Sequence, residues 1–383
     1  MIIQKLNITN IRNIESISFQ PSPAINLFFG LNGSGKTSLL EAVHILGLAR
    51  SFQTSKIKPV IRAGAEKYTI FGLIESFHDS IPLSVGVSRR INDSTPKIKI
   101  ANEATKSSSE LAVLIPIQVI NPAAFKLLEG SPKLRRGFID WGVFHVEHRQ
   151  FFPSWKKMQK ALKQRNSLLR QGKIADSELS VWSHSFIESA SLVDELRRNY
   201  IDRLQPYFYK MLEALCDLKD ISISYYRGWD KEQSLEVVLK NGLERDVQSG
   251  YTHAGPQRAD LRIRAGKHNA LDLLSRGQMK LVIAALKLAQ GCLLSDITGN
   301  NCIFLVDDLT SELDTPHRKA FCCLLQQIKS QVFITCIEKE LLAEFLLPNI
   351  ECKMFHVKQG QIKLIDSPVP AIRQANSLEI EYE

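Results

Sequence analysis

Apolar and polar residues alternate from Ile2 to Phe19, interrupted at Asn10-Ile11-Arg12-Asn13. A period of two sends alternate side chains to opposite faces, so this stretch predicts two strands joined by a turn. Ile25-Asn26-Leu27-Phe28-Phe29 reads as a short apolar strand running into a glycine-rich loop. Ser38 to Leu46 carries apolar residues at helical spacing. Tyr68 to Ile100 is strand-like, with turn residues at His78-Asp79-Ser80 and Asn92-Asp93-Ser94. Residues 132 to 216 are rich in Leu, Lys, Arg, Gln and aromatics at helical periods and predict several helices. A strand follows at Ile221 to Tyr226 and a long helix at Ser275 to Leu294. Then come a strand at Cys302 to Val306, a helix near His317 to Lys329 and a strand at Gln331 to Thr335.

Strands alternating with helices imply an α/β fold with a largely parallel sheet. No internal repeat or sustained heptad is visible, so no long coiled coil is expected. The changes of pattern divide the chain into an N-terminal part, 1–119, and an inserted mainly helical lobe, 120–245. A C-terminal part, 246–365, and a flexible tail, 366–383, complete it.

Composition narrows the class. The chain has 383 residues, 44% of them hydrophobic and 23% charged, which suits a globular protein. No unbroken apolar run approaches 18 residues and the start lacks a signal-peptide pattern, so no membrane span is expected. Seven scattered cysteines without a Cys-x-x-Cys pair argue against zinc and fit a reducing cytoplasm. The net charge is +9, although Asp366, Glu379, Glu381 and Glu383 outweigh Arg373 in the tail. The positive excess therefore lies on the rest of the chain and points to a polyanionic partner.

Gly30-Leu31-Asn32-Gly33-Ser34-Gly35-Lys36-Thr37 satisfies the pattern G-x-x-x-x-G-K-[ST] in full, and Ser38 follows it. Glycines let backbone N–H groups approach phosphate oxygens. Lys36 supplies a compact positive charge to the β- and γ-phosphates, and the Thr37 hydroxyl can ligate magnesium. The helix starting there turns its positive end toward the same anion. The expected ligand is ATP with Mg2+. Cys302 to Val306 is an apolar strand ending in Asp307 and Asp308. Asp307 is the candidate magnesium ligand, and Asp308 is placed to orient the attacking water. Ser275 is a good N-cap for the long helix, and Gly277 allows close backbone approach, making a second helix start suited to an anion.

In chain order, the phosphate loop, Ser275-Arg276-Gly277-Gln278, the paired-acid strand and Ser311-Glu312-Leu313-Asp314 resemble the ABC-type ATPase heads shared by transporters and SMC proteins. The fold this implies is an ABC-type P-loop ATPase head, α/β, with an inserted mainly helical lobe. In such heads two subunits sandwich two ATP molecules. By this resemblance Ser275, Gly277 and Gln278 act on the partner's nucleotide, and Asp314 lies across the interface. Gln118 would sense magnesium and the γ-phosphate, and Arg12 would contact the nucleotide.

To about residue 365 the chain resembles the RecF family in particular. That resemblance rests on Thr9 to Asn13, Gly30 to Ser38, Arg135 to Gly142, Leu162 to Asn166, Gly228-Trp229, Leu274 to Lys280 and Val306 to Asp314. It implies a cytoplasmic ATP-dependent homodimer that binds single- and double-stranded DNA and hydrolyses ATP slowly. It also implies RecR and RecO as partners in loading RecA on gapped DNA, supporting repair, replication and the SOS response. Three positions depart from the pattern. Gln257 replaces the usual histidine after Gly255-Pro256, and Asp308 stands where transporter heads carry Glu. The strand ending at Thr335 lacks the histidine of many ABC heads. The last two departures fit a slow switch.

Lys156, Lys160, Lys163 and Arg170 recur at helical spacing and predict a basic stripe beside the apolar Trp155, Met158, Leu162 and Leu169. Lys133, Arg135 and Arg136 form a second basic cluster. No base-reading motif accompanies them, so DNA contact by charge and shape is expected. Two other classes fit the phosphate loop alone: a transporter's ATPase subunit, which would fractionate with membranes, and a small-molecule phosphotransferase, which would yield a labelled product.

Overall fold

The computed structural model describes residues 1–75, 81–105, 107–171, 176–308, 313–343, 345–346 and 350–365. The tail from 366, the turn at His78 to Ser80 and the pair Ser311-Glu312 lie outside the described residues. Contacts divide the chain into two compact units: residues 2–106 with 331–383, and residues 107–330 with Met1.

The first unit holds two sheets. One is antiparallel, in the order β2-β1-β4-β5-β6-β7. Its strands are β1 (Ile2–Ile11), β2 (Ile14–Phe19), β4 (Lys67–Glu75), β5 (Leu83–Arg90), β6 (Lys97–Ile100) and β7 (Glu103–Thr105). The alternation of β1 buries Ile3, Leu6, Ile8 and Ile11. Its step of three between Ile3 and Leu6 falls at a register shift against β4, where a bulge restores which residues face inward. The other sheet has β3 (Ile25–Phe29) between β13 (Val332–Cys336) and β14 (Cys352–Lys358), all parallel. The strand β15 (Gln361–Ile365) runs antiparallel to β14. Four of the five β3 residues are buried, the continuous run expected of a parallel strand covered on both faces. Phe28 stacks between Phe333 and Phe355, at 6.2 and 5.0 Å between ring centres.

In the second unit β8 (Ile117–Ile120) pairs in parallel with β12 (Ile303–Val306). A small antiparallel sheet joins β9 (Ile221–Tyr226), β10 (Asp260–Ala265) and β11 (His268–Asn269). The helical region resolves into helices at Pro132–Val146, His148–Gln171 and Asp176–Leu215. The last, at 40 residues, packs on the other two and on the helix Arg276–Thr298.

Arg276–Thr298 refines the membrane expectation. It is long and apolar enough to cross a bilayer, with a mean hydropathy of 1.5, yet 67% of that stretch is buried inside the protein. It is the core helix of its unit.

Buried ion pairs explain two motifs. Arg165, 1% exposed, donates to Asp246 at 2.9 Å and to the Thr252 hydroxyl at 2.5 Å. Asn166 accepts from the Thr252 amide and hydroxyl at 2.9 and 2.7 Å. Lys163-Gln164-Arg165-Asn166 therefore ties its helix to the loop around Thr252. Arg197 likewise forks onto Asp140, at 2.7 and 3.0 Å, and donates to the Pro256 carbonyl. Gln257, at the unusual position, donates to the Ala254 carbonyl at 2.9 Å and braces its own loop.

Candidate functional site

The first unit carries the phosphate loop at the end of β3. Gly30, Gly33 and Gly35 have φ of 148°, 77° and 116°, a region that side-chain-bearing residues rarely enter. The requirement at Gly30 is also steric: a Cβ there would lie 2.3 Å from the Val357 carbonyl oxygen. At Gly33 nothing lies within 4 Å, so its neighbourhood is open. Leu31 and Asn32 are exposed at the tip.

The helix Lys36–Leu48 starts at Gly35 with no side-chain cap and no acid in its first turn. A helix start without a side-chain cap or an acid suits a phosphate. The Lys36 ammonium curls over the loop and donates to the carbonyls of Gly30 at 2.6 Å and Leu31 at 3.0 Å. Thr37 and Ser38 are half-buried in the first turn. The Lys36 ammonium and the helix start without a side-chain cap fit a nucleoside triphosphate.

Arg12, at φ 53°, points back at this helix. It forks onto Glu41 at 2.7 and 2.9 Å and reaches Gln53 at 3.0 Å. Glu41 is fully buried and also accepts from the Ser51 hydroxyl. The hydrogen bond that Arg12 donates to Glu41 is the main cause holding the Arg12 pKa above its ordinary value. Two residues here escaped the sequence reading. Asn13 donates to the Gly33 carbonyl at 3.2 Å and accepts from Ser38 at 3.1 Å, propping the loop from beneath. Glu41 gave a signal that could have been used, a lone acid within the apolar run of a helix.

In the second unit Asp307 and Asp308 directly follow β12. The Asp307 amide donates to the Ile120 carbonyl at 2.9 Å, and Asp308 takes the left-handed conformation at φ 55°. Gln118 lies inside β8, opposite Phe304, and is 1% exposed. Its amide nitrogen donates to Gln290 at 2.9 Å, and its oxygen accepts from Lys287 at 3.0 Å. Gln290 continues to the Phe138 carbonyl and the Tyr200 hydroxyl. Lys287 and Gln290 on the core helix thus supply both partners of the glutamine that the sequence assigns to magnesium sensing.

Ser275 and Gln278 form a reciprocal capping box at the start of the core helix. The Ser275 hydroxyl accepts from the Gln278 amide, and the Gln278 oxygen accepts from the Ser275 amide. Gly277 is exposed, and an added Cβ would touch only the Ser275 hydroxyl, at 4.0 Å. Packing within the chain therefore does not demand glycine there. Asp314 caps the helix Thr315–Gln327, accepting from the His317 amide at 3.1 Å, a bond that holds its carboxyl below the usual range.

Of the DNA candidates, Lys133, Lys156, Lys160, Lys163 and Arg170 are exposed. Lys156 sits 4.0 Å over the Phe152 ring. The same helix buries Met158 and Leu169, while Trp155 and Leu162 are half-buried. Arg135 and Arg136 differ from these lysines. Arg135 forks onto Asp260 at 2.7 and 2.9 Å and donates to the Gly130 carbonyl at 2.8 Å. Arg136 donates to the Ala259 carbonyl at 2.8 Å, and burial lowers its pKa. Arg135 holds β10 against its own helix and Arg136 holds the residue before that strand, and a partner 125 residues away in sequence is invisible to local charge counting.

Residues 2–363 match the family model described as the RecF/RecN/SMC N terminal domain. The chain is 48% identical over 365 residues to the DNA replication and repair protein RecF of Pseudomonas syringae pv. tomato, covering 94% of this chain and 98% of that one. Against RecF of Stutzerimonas stutzeri the identity is 49% over 368 residues, with 96% and 99% covered. Among solved structures, the recombination mediator protein RecF with ATP, from the RecFOR pathway, aligns with a TM-score of 0.83 at 25% identity, covering 95% of this chain and 97% of that one. A Pyrococcus furiosus Smc head aligns at 0.58 and 14% identity, covering 95% and 96%, a likeness of fold.

Proposed function

The chain belongs to the RecF family of DNA replication and repair proteins, and from that premise we propose that it is an ATP-switched, sequence-independent DNA-binding protein of recombinational repair. ATP with Mg2+ binds at Gly30 to Ser38, with Lys36 on the β- and γ-phosphates and Thr37 and Asp307 toward the metal. Two copies close on ATP, and the Ser275, Gly277 and Gln278 of each copy meet the nucleotide of the other. Asp308 orients water for slow hydrolysis, which resets the switch. The exposed lysines of the helical lobe track DNA phosphates. RecR and RecO are the partners in placing RecA on gapped DNA, in the cytoplasm.

The observation that carries this reading is a pair of helix starts, one without a side-chain cap and the other capped but with open space at its glycine. The helix after the phosphate loop has no cap and no acid, and Gly277 begins another helix with space where a side chain could stand. One suits a phosphate bound in cis, and the other suits close approach of a second molecule. The ATP complex of the RecF structure supports the nucleotide.

The test is to measure mass and DNA affinity with ATP, with ADP and without nucleotide, for the wild type and Lys36→Ala. ATP should double the mass and raise DNA affinity in the wild type alone. A Lys36→Ala protein that still dimerised with ATP and held DNA equally well would refute the switch.

A further inference from the structure

The small sheet of the second unit has two unlike faces. Along β10, Leu261 and Ile263 are buried, while Arg262 and Arg264 stand exposed on the opposite face. Register places Ser224 opposite Arg262 and Ser222 opposite Arg264 on β9, with Asn269 opposite Arg264 on β11. This face forms one wall of an open cavity of about 390 Å³, to which Lys267 and Arg135 also contribute. Among the described residues neither Arg262 nor Arg264 has an acidic partner. Asp260 shares their face, but the bidentate fork of Arg135 already balances it. Glu129 is the other acid that lines the cavity. Arg262 lies 4.1 Å over the ring of Tyr226, which holds its guanidinium in place.

We infer that this face is a binding site for the sugar-phosphate backbone of DNA, with Arg262 and Arg264 as its phosphate contacts. The inference rests on the DNA-binding reading above and adds a surface separate from the lysine stripe. Residues two apart on a strand are spaced by about 6.8 Å, so the two guanidiniums can meet separate phosphates of one strand. Arginine, serine, asparagine and tyrosine are the side chains that contact phosphate and sugar without reading sequence. A folded protein partner would need a desolvated apolar anchor near the centre. Here the face carries two exposed guanidiniums, and of the apolar residues that line the cavity Leu128, Leu261 and Ile263 are buried, which leaves Leu271 alone exposed among them.

The experiment compares wild type, the double variant Arg262→Ser/Arg264→Ser and the charge-keeping Arg262→Lys/Arg264→Lys. All are full-length, with ATP, and are titrated with a labelled gapped oligonucleotide across a salt series. The serine pair should lose roughly tenfold or more in affinity and flatten the log–log salt slope by about 2, one charge per lost phosphate contact. The lysine pair should keep the slope, and ATP-dependent mass should be unchanged in both. Wild-type affinity and slope in the serine pair would overturn the inference. So would unchanged DNA binding together with loss of polyglutamate binding, which would assign the face to an acidic protein. A wild type that binds no DNA would overturn the broader reading instead.

Discussion

Lys287 donates to the Gln118 oxygen at 3.0 Å, deep in the second unit, and burial pushes its ammonium down to about 8. The ordinary lysine value is about 10.4. Between these two values the unfolded chain holds a proton that the folded chain has released. Stability therefore rises with pH across that window, and below about 8 both states are charged and the effect is flat. Melting curves from pH 7 to 10.5 should show wild type gaining on Lys287→Met as pH rises. A constant difference across the series would mean that Lys287 titrates normally.

Glycine substitutions should separate the two helix starts. Gly30→Ala forces a Cβ to within 2.3 Å of a carbonyl oxygen at φ 148°. It should cost about 3 kcal/mol or more in stability. Gly277→Ala enters open space inside a helix, where alanine is favoured by up to about 1 kcal/mol. That variant should melt no lower than wild type and still fail to dimerise with ATP. Normal ATP-dependent mass for Gly277→Ala would remove the trans role.

The Arg12–Glu41 pair is lopsided in burial, with the arginine side chain 24% exposed and the glutamate side chain fully enclosed. Deleting the arginine strands a buried carboxylate, so Arg12→Ala should cost about 3 kcal/mol. Glu41→Gln keeps an acceptor and should cost less. Urea midpoints of the two variants give the ranking, and the reverse order would place the strain elsewhere.

Two neighbours on one helix should behave as opposites. Arg165→Ala breaks a buried pair and should destabilise the helical lobe by about 3 to 5 kcal/mol. Lys163→Ala removes an exposed charge and should shift stability by under about 0.5 kcal/mol. It should also lower the DNA salt slope by about 1. Hydrogen exchange across residues 148 to 215 and salt titrations would read the two effects. An unaltered slope for Lys163→Ala would take it off the DNA path.

The phosphate loop, the parallel strand before it and the capped core helix were legible because each rests on local rules: glycine conformations, a continuous apolar run, a Ser-x-x-Gln cap. The positions of Gln118, Arg135 and Arg165 were not. Each carries a polar group whose partner comes from 81 to 172 residues away. Sequence spacing on a helix or strand says which face a charge occupies, not whether another element neutralises it. The same limit hid Asn13, which matters only once a turn and a loop 20 residues apart meet.

The neighbours of β3 carry a consequence for biosynthesis. Both strands flanking it, β13 and β14, come from the last tenth or so of the described chain. Gly30 is anchored by its amide to the Ile337 carbonyl, and the Gly360 amide donates to Ser34 at 2.8 Å. The Gly360 turn also presses on Asn13, leaving 2.3 Å between a would-be Cβ and the Asn13 oxygen. The nucleotide cradle thus leaves the ribosome before the strands that give it its shape. A nascent chain that ends before residue 332 holds the whole loop from Gly30 to Ser38 and lacks both strands that flank β3.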